Sequence, residues 1–126
     1  MILERPHAFL TYNIAPAHPH HLLIVPKRHT ITIRECSPEE SAQMNALVTE
    51  GTTLLHKLGY ACAALLLRDG PHPGKTIEHL HYHLIPNTEM RPVPDAEKAK
   101  REDPRVMLTP EEIAKTLADF EQAKHS

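Results

Sequence analysis

The stretch His79-Leu80-His81-Tyr82-His83-Leu84-Ile85, closed by Pro86, decides the reading of this chain. It continues Ile77-Glu78 and alternates with period two, which predicts a strand over 77–85. Residues i and i+2 of a strand lie about 6.5–7 Å apart on one face. His79, His81 and His83 are therefore expected on one face. Leu80, Tyr82 and Leu84 are expected on the other, where they can pack into a core.

Three readings compete for those imidazoles. A plain surface strand could carry them, yet they bring a titration burden without packing benefit. A zinc site is the second, since histidine is a common ligand. No carboxylate or cysteine sits at ligand spacing nearby, and three ligands on one strand close poorly around one ion. The third is phosphoryl or nucleotidyl transfer by a nucleophilic imidazole. Its neighbours would position phosphate oxygens and pass a proton to the leaving group. The preceding segment favours the third. Arg68 offers a forked guanidinium, and Gly74-Lys75-Thr76 offers amides, an ammonium group and a hydroxyl, all suited to phosphate. The alternative for that loop is a simple strand connection.

Working outward, residues 8–14 and 21–25 read as strands bounded by Pro16, Pro19 and Pro26. Residues 30–33, Thr-Ile-Thr-Ile, read as a short β piece, and 61–67, Ala-Cys-Ala-Ala-Leu-Leu-Leu, as a buried strand. Ser37, Pro38 and Glu40 form a helix start with a capping box. Met44, Leu47, Val48, Leu54, Leu55 and Leu58 then recur at helical spacing, and Gly59 suits the stop. Gly51 costs this helix roughly 1 kcal/mol relative to alanine. Thr109-Pro110-Glu111-Glu112 repeats the start signal, and Ile113, Leu117 and Phe120 supply a second stripe. Residues 87–108 are polar and proline-containing and read as an extended excursion. Strands that follow one another without helices argue for an antiparallel sheet. The expected class is α+β, with about five strands, a flanking helix and a C-terminal helix. The expected organisation is a core over 1–90 and an extension over 91–126 belonging to the same domain.

Composition narrows the function. The 126 residues suit one domain, and 40% hydrophobic content is ordinary for a globular chain. A formal charge of −2 gives no basic field for nucleic acid. Cys36 and Cys62 lack any CxxC spacing and fit a reducing compartment. The start Met1–Leu10 lacks the basic head and apolar run of a secretion signal, and no apolar run approaches the ~18 residues of a membrane span. The expected location is the cytoplasm, with no membrane partner.

The motif H-φ-H-φ-H-φ-φ at 79–85 resembles the signature of the histidine triad family. His21-Leu22-Leu23-Ile24-Val25-Pro26-Lys27-Arg28-His29 is similar to the family's other recurrent strand, in the family's order. With Arg68-Asp69-Gly70-Pro71 and Gly74-Lys75-Thr76, the resemblance covers residues ~8–86, a domain-sized stretch. It implies that His81 is the nucleophile of a covalent nucleotidyl-histidine intermediate and that His83 holds the α-phosphate. It implies that His79 and His21 tune the nucleophile and relay a proton. Asn13 matches a ribose-contacting position, Tyr12, Ile14 and Leu23 match pocket positions, and Thr76 matches a hydroxyl near the phosphate. Arg68 and Lys75 stand where the family favours amides, so they add positive charge near the phosphates, beside the matched Gly74-Lys75-Thr76 stretch, and His20 stands where glycine is frequent.

The implied activity is hydrolysis at the α-phosphorus of a nucleotide conjugate, of dinucleoside polyphosphate type. The alternatives are a nucleoside phosphoramidase, a nucleotidyltransferase, or a nucleotide-binding module without turnover. No cofactor and no metal are expected. The resemblance also implies a homodimer whose sheets join.

Overall fold

The computed structural model describes residues 1–71, 79–86 and 107–126. Among them, strands β1 (Leu3–Glu4), β2 (Ala8–Tyr12), β3 (Leu22–Pro26), β4 (Ala63–Leu67) and β5 (Tyr82–Pro86) form one sheet in the order β1-β2-β3-β5-β4, antiparallel throughout. Helix α1 (Pro38–Lys57) crosses from β3 to β4, and α2 (Pro110–Lys124) follows β5. The class is α+β, as the run of strands requires. No described helix is long and apolar enough to cross a membrane.

Both helix starts follow from their residues. Ser37 Oγ accepts from the Glu40 backbone N–H, and the Glu40 carboxylate accepts from the Ser37 N–H at 2.7 Å. Thr109 and Glu112 make the same reciprocal pair, and proline opens each helix where its missing N–H costs nothing. Gly59, at φ +102°, ends α1 in a conformation that disfavours a side chain.

The apolar stripe of α1 lies on one face of the sheet. Met44, Leu47, Leu54 and Leu55 meet Leu10, Leu22, Ile24 and Leu84, all essentially buried. Phe120 and Ala123 of α2 join the same core. Gly51 has a packing reason that its propensity hides. A Cβ there would stand 2.8 Å from Leu84 Cδ2, so glycine lets α1 press closely against β5.

The structure corrects three local expectations. Residues 30–33 are not a strand. A 3₁₀ turn occupies Ile33–Glu35, where the Glu35 carboxylate accepts from the Thr32 N–H at 3.2 Å. The Thr30 and Ile31 carbonyls go instead to the N–H groups of Leu80 and Gly70. Residues 61–67 do not make a buried strand. β4 lies at the sheet margin, with β5 its partner, and Ala63 and Leu65 are exposed. An aliphatic run signals a strand but not its place in the sheet. Finally, the strand expected over 77–85 runs from Tyr82 among the described residues. The single Leu80 N–H is spent on the Thr30 carbonyl and is not left for the ladder.

Candidate active site

Cross-strand register builds one wall of the site. His83 stands opposite Leu23 of β3 and Leu66 of β4, and Leu23 stands opposite Thr11 of β2. Residues in register share a face, so these four line the face away from α1. The same rule places Tyr12. It pairs with Leu22, on the core side, and packs against the core instead of beside His83.

His21 is buried at the start of β3, 1% exposed. The Ala17 N–H donates to its Nδ1 at 3.0 Å, so its hydrogen lies on Nε2. Nε2 donates to Nδ1 of His83 at 2.9 Å. The neutral His83 ring then carries its own hydrogen on Nε2, a donor of the kind a phosphate oxygen accepts. The His81 ring stands edge-on to His83, with centroids 4.6 Å apart. His81 Nδ1 donates to the carbonyl of His79 at 2.7 Å. A neutral imidazole holding its hydrogen there has its lone pair on Nε2.

His79 differs from its two neighbours. Its Nε2 donates to the Pro26 carbonyl at 2.7 Å, and its ring meets His29 edge-on at 5.2 Å. Its link to His81 is the backbone carbonyl. The period-two reading put three rings on one strand face; the structure brings His81, His83 and His21 together and turns the His79 ring towards β3 and His29.

Asn13 works locally. Its Oδ1 accepts from the Ala15 N–H at 3.0 Å, and its backbone N–H donates to the His21 carbonyl at 3.0 Å. Its amide nitrogen lies 3.5 Å from His21 Nε2, two donors side by side. Ile14 is exposed, and its carbonyl accepts from the Leu108 N–H at 2.8 Å. Arg68 is exposed directly after β4. Asp69 beside it takes the Ile33 N–H at 2.6 Å, and Gly70 turns at φ +83°. Gly74, Lys75 and Thr76 lie outside the described residues.

Leu66 is a wall residue that sequence reasoning missed. Period two groups it with Ala64 but does not say which side of the sheet they take. A second cluster, His18, His20, Tyr60 and Asp119, was also missed. His20 and Asp119 are 99 positions apart, and no sequence pattern links them. Among the described residues no three histidine, cysteine or acidic side chains converge as metal ligands would.

The profile of the HIT domain matches residues 1–90. An uncharacterised HIT-like protein of Methanocaldococcus jannaschii is 28% identical over 89 residues, 71% of this chain and 69% of its own. The Schizosaccharomyces pombe bis(5'-nucleosyl)-tetraphosphatase is 29% identical over 75 residues, 59% of this chain and 41% of its own. The adenosine 5'-monophosphoramidase of the same yeast is 33% identical over 79 residues, 63% of this chain and 56% of its own. The matched part thus spans about half the length of these two relatives, both named as hydrolases. A Hit-like protein of Bartonella henselae shares the fold at a TM-score of 0.75 and 17% identity, over 97% of this chain and 84% of its own. A profile match over residues 1–90, a span that holds all five strands and the three-histidine motif, places this chain in the HIT, or histidine triad, family.

Proposed function

We propose that the protein hydrolyses a nucleotide conjugate at its α-phosphorus through a nucleotidyl adduct on His81. One observation carries the reading: His81 Nδ1 is committed to the His79 carbonyl, which directs the Nε2 lone pair to nucleophilic use. In the first step Nε2 attacks phosphorus. An N–P bond forms, the bond to the leaving group breaks with its electron pair going to the departing atom, and that atom takes a proton from solvent. The ring becomes a phosphoryl-imidazolium, whose Nδ1–H the His79 carbonyl already holds. In the second step water attacks phosphorus, the N–P bond breaks with its electron pair returning to Nε2, and the proton lost by the water passes to solvent. His83 holds a non-bridging oxygen, and His21 fixes the His83 tautomer.

Dinucleoside polyphosphates are the favoured substrates. Arg68 and the Gly74-Lys75-Thr76 loop add donors and charge suited to a longer phosphate chain. Phosphoramidates are the second reading, supported by the yeast phosphoramidase relative. Asn13, Ile14, Leu23 and Leu66 are assigned to the nucleoside end of the site.

The test is a panel of diadenosine polyphosphates and adenosine 5'-phosphoramidate, with early acid quenching and mass spectrometry. An adenylyl adduct on His81 and its loss in His81→Ala are expected. An active alanine variant would sink the mechanism. Arg68→Gln should lower kcat/KM for the polyphosphate about tenfold or more, and less for the phosphoramidate. Equal small losses would reverse the substrate preference.

A further inference from the structure

Residues 18–21 form a tight turn beside the site. The His21 N–H donates to the His18 carbonyl at 3.0 Å, with Pro19 inside the turn, and the His20 N–H donates to His18 Nδ1 at 3.3 Å. The two central residues of such a turn have few ways to hold themselves. Here the His20 ring is held from outside. Its Nε2 donates to Asp119 Oδ2 at 3.0 Å, and its Nδ1 lies 2.6 Å from the Tyr60 hydroxyl. Its ring meets Phe120 and Tyr60 edge-on, both at 5.5 Å between centroids. His18 packs on the same tyrosine at 5.2 Å.

The chemistry of each partner makes this a clamp. The Asp119 carboxylate only accepts, so Nε2 carries a hydrogen. A tyrosine hydroxyl donates or accepts, so it serves either state of Nδ1. Burial, and then the Asp119 charge, push the Tyr60 phenol up and keep it in the hydroxyl form that can do so. The His20 hydrogen bond, ahead of the contact with Lys115, holds Asp119 below the usual carboxylate range. Asp119 and Phe120 belong to α2, and Tyr60 lies just beyond α1. One imidazole therefore ties α2 and the segment just beyond α1 to the turn that delivers His21.

We propose that Asp119 is a positioning residue for the reaction. Through His20 it holds the 18–21 turn, and the turn holds His21 at 2.9 Å from His83. The effect on rate rests on the hydrolytic role of the triad given above; the effect on geometry does not. α2 thereby takes part in the site without touching substrate. A loose turn would let His21 drift, and His83 would lose the donor that fixes its tautomer. That loss falls on the bond-making step and not on nucleotide affinity.

The experiment uses the full chain and two readouts. Imidazole ¹⁵N resonances of His21 and His83 are recorded without nucleotide, and hydrolysis of diadenosine tetraphosphate is measured. Asp119→Ala should shift both sets of resonances. It should lower kcat about tenfold, with KM changed less than about twofold. Asp119→Asn keeps an oxygen acceptor for Nε2–H and should restore most of the rate. Lys115→Ala removes the other partner of Asp119, on the exposed side, and should change neither readout. In a His21→Ala background, Asp119→Ala should cost nothing further in kcat, because both act on one contact. If Asp119→Ala does not fold, Tyr60→Phe carries the same prediction at smaller size. Unchanged His21 and His83 resonances in a folded Asp119→Ala or Tyr60→Phe variant would overturn the clamp. A wild type that turns over nothing in the panel overturns the hydrolytic reading instead, and the resonances still judge the clamp.

Discussion

His21 donates from Nε2 to Nδ1 of His83 across 2.9 Å, and the Ala17 backbone sets the direction by donating to the other nitrogen of His21. The order Ala17, His21, His83 is a chain of donors with one sense. His21→Ala should therefore free the His83 tautomer without emptying the site. The expected loss is about a hundredfold in kcat, the lower end for a positioned acid–base group, with nucleotide affinity nearly unchanged. Single-turnover quenching should show slower formation of the His81 adduct. An unchanged rate of adduct formation would remove His21 from the mechanism.

Glu40 gives a prediction in pH. The Arg28 guanidinium, then the Ser37 backbone N–H, hold its carboxyl down at about 2. The folded pKa lies below the unfolded one, so the charge stabilises the fold above the unfolded value. That contribution fades as pH falls through the ordinary carboxylate range and is gone below about 2. Glu40→Gln keeps a capping acceptor but not the charge, and should cost roughly 1 kcal/mol at neutral pH. Urea titrations of both proteins from pH 7 to 2 should converge as the acid end is approached. A gap that stays constant with pH would show that the Arg28–Glu40 pair contributes nothing through charge.

Gly51 should resist the usual improvement of a helix by alanine. Propensity alone favours Gly51→Ala by about 1 kcal/mol. Against it, the new Cβ would lie 2.8 Å from Leu84 Cδ2, inside a packed core. Overpacking of that kind costs about 1–3 kcal/mol, so the net change is expected to be destabilising. A thermal melt with Tm above that of the wild type would mean that Leu84 moves aside freely. Because His83 precedes Leu84, the same variant tests how firmly α1 supports the site.

Leu65 addresses assembly. It is 50% exposed at the sheet margin, beside exposed Ala63, on a strand whose partner is β5. Apolar edge strands are places where sheets extend. The family resemblance implies a homodimer whose sheets join, and we propose that two copies pair along β4. Light scattering of the wild type at micromolar concentration should give about twice 14.2 kDa, and Leu65→Lys should shift it to the monomer. A monomeric wild type, or a dimer indifferent to the charge, would place the interface elsewhere or abolish it.

The sequence alone determined the local features. The Ser37–Glu40 and Thr109–Glu112 boxes show where both helices start, because capping is satisfied within four residues. Proline at 26 and 86 shows where β3 and β5 end, since it withholds an N–H. The three spaced histidines pointed to imidazole chemistry. The Thr32–Glu35 pair, which carries the same box signature, was overshadowed by the β-branched run Thr-Ile-Thr-Ile that precedes it.

Tertiary structure decided what depends on partners distant in the chain. The His79 ring turned to Pro26, 53 residues away, and His21 met His83 across 62. Tyr12 went to the core and Leu66 to the site because register, not alternation, assigns a face. Ala63–Leu67 became a margin strand because sheet order is set by which strands pair. Gly51 became a packing requirement only once Leu84 lay against it. Caps, breakers and periodicity act over a few bonds and are written in the sequence. A hydrogen bond from His20 to Asp119 exists only after two helices and a sheet have closed on one core, and that closure is a property of the whole chain.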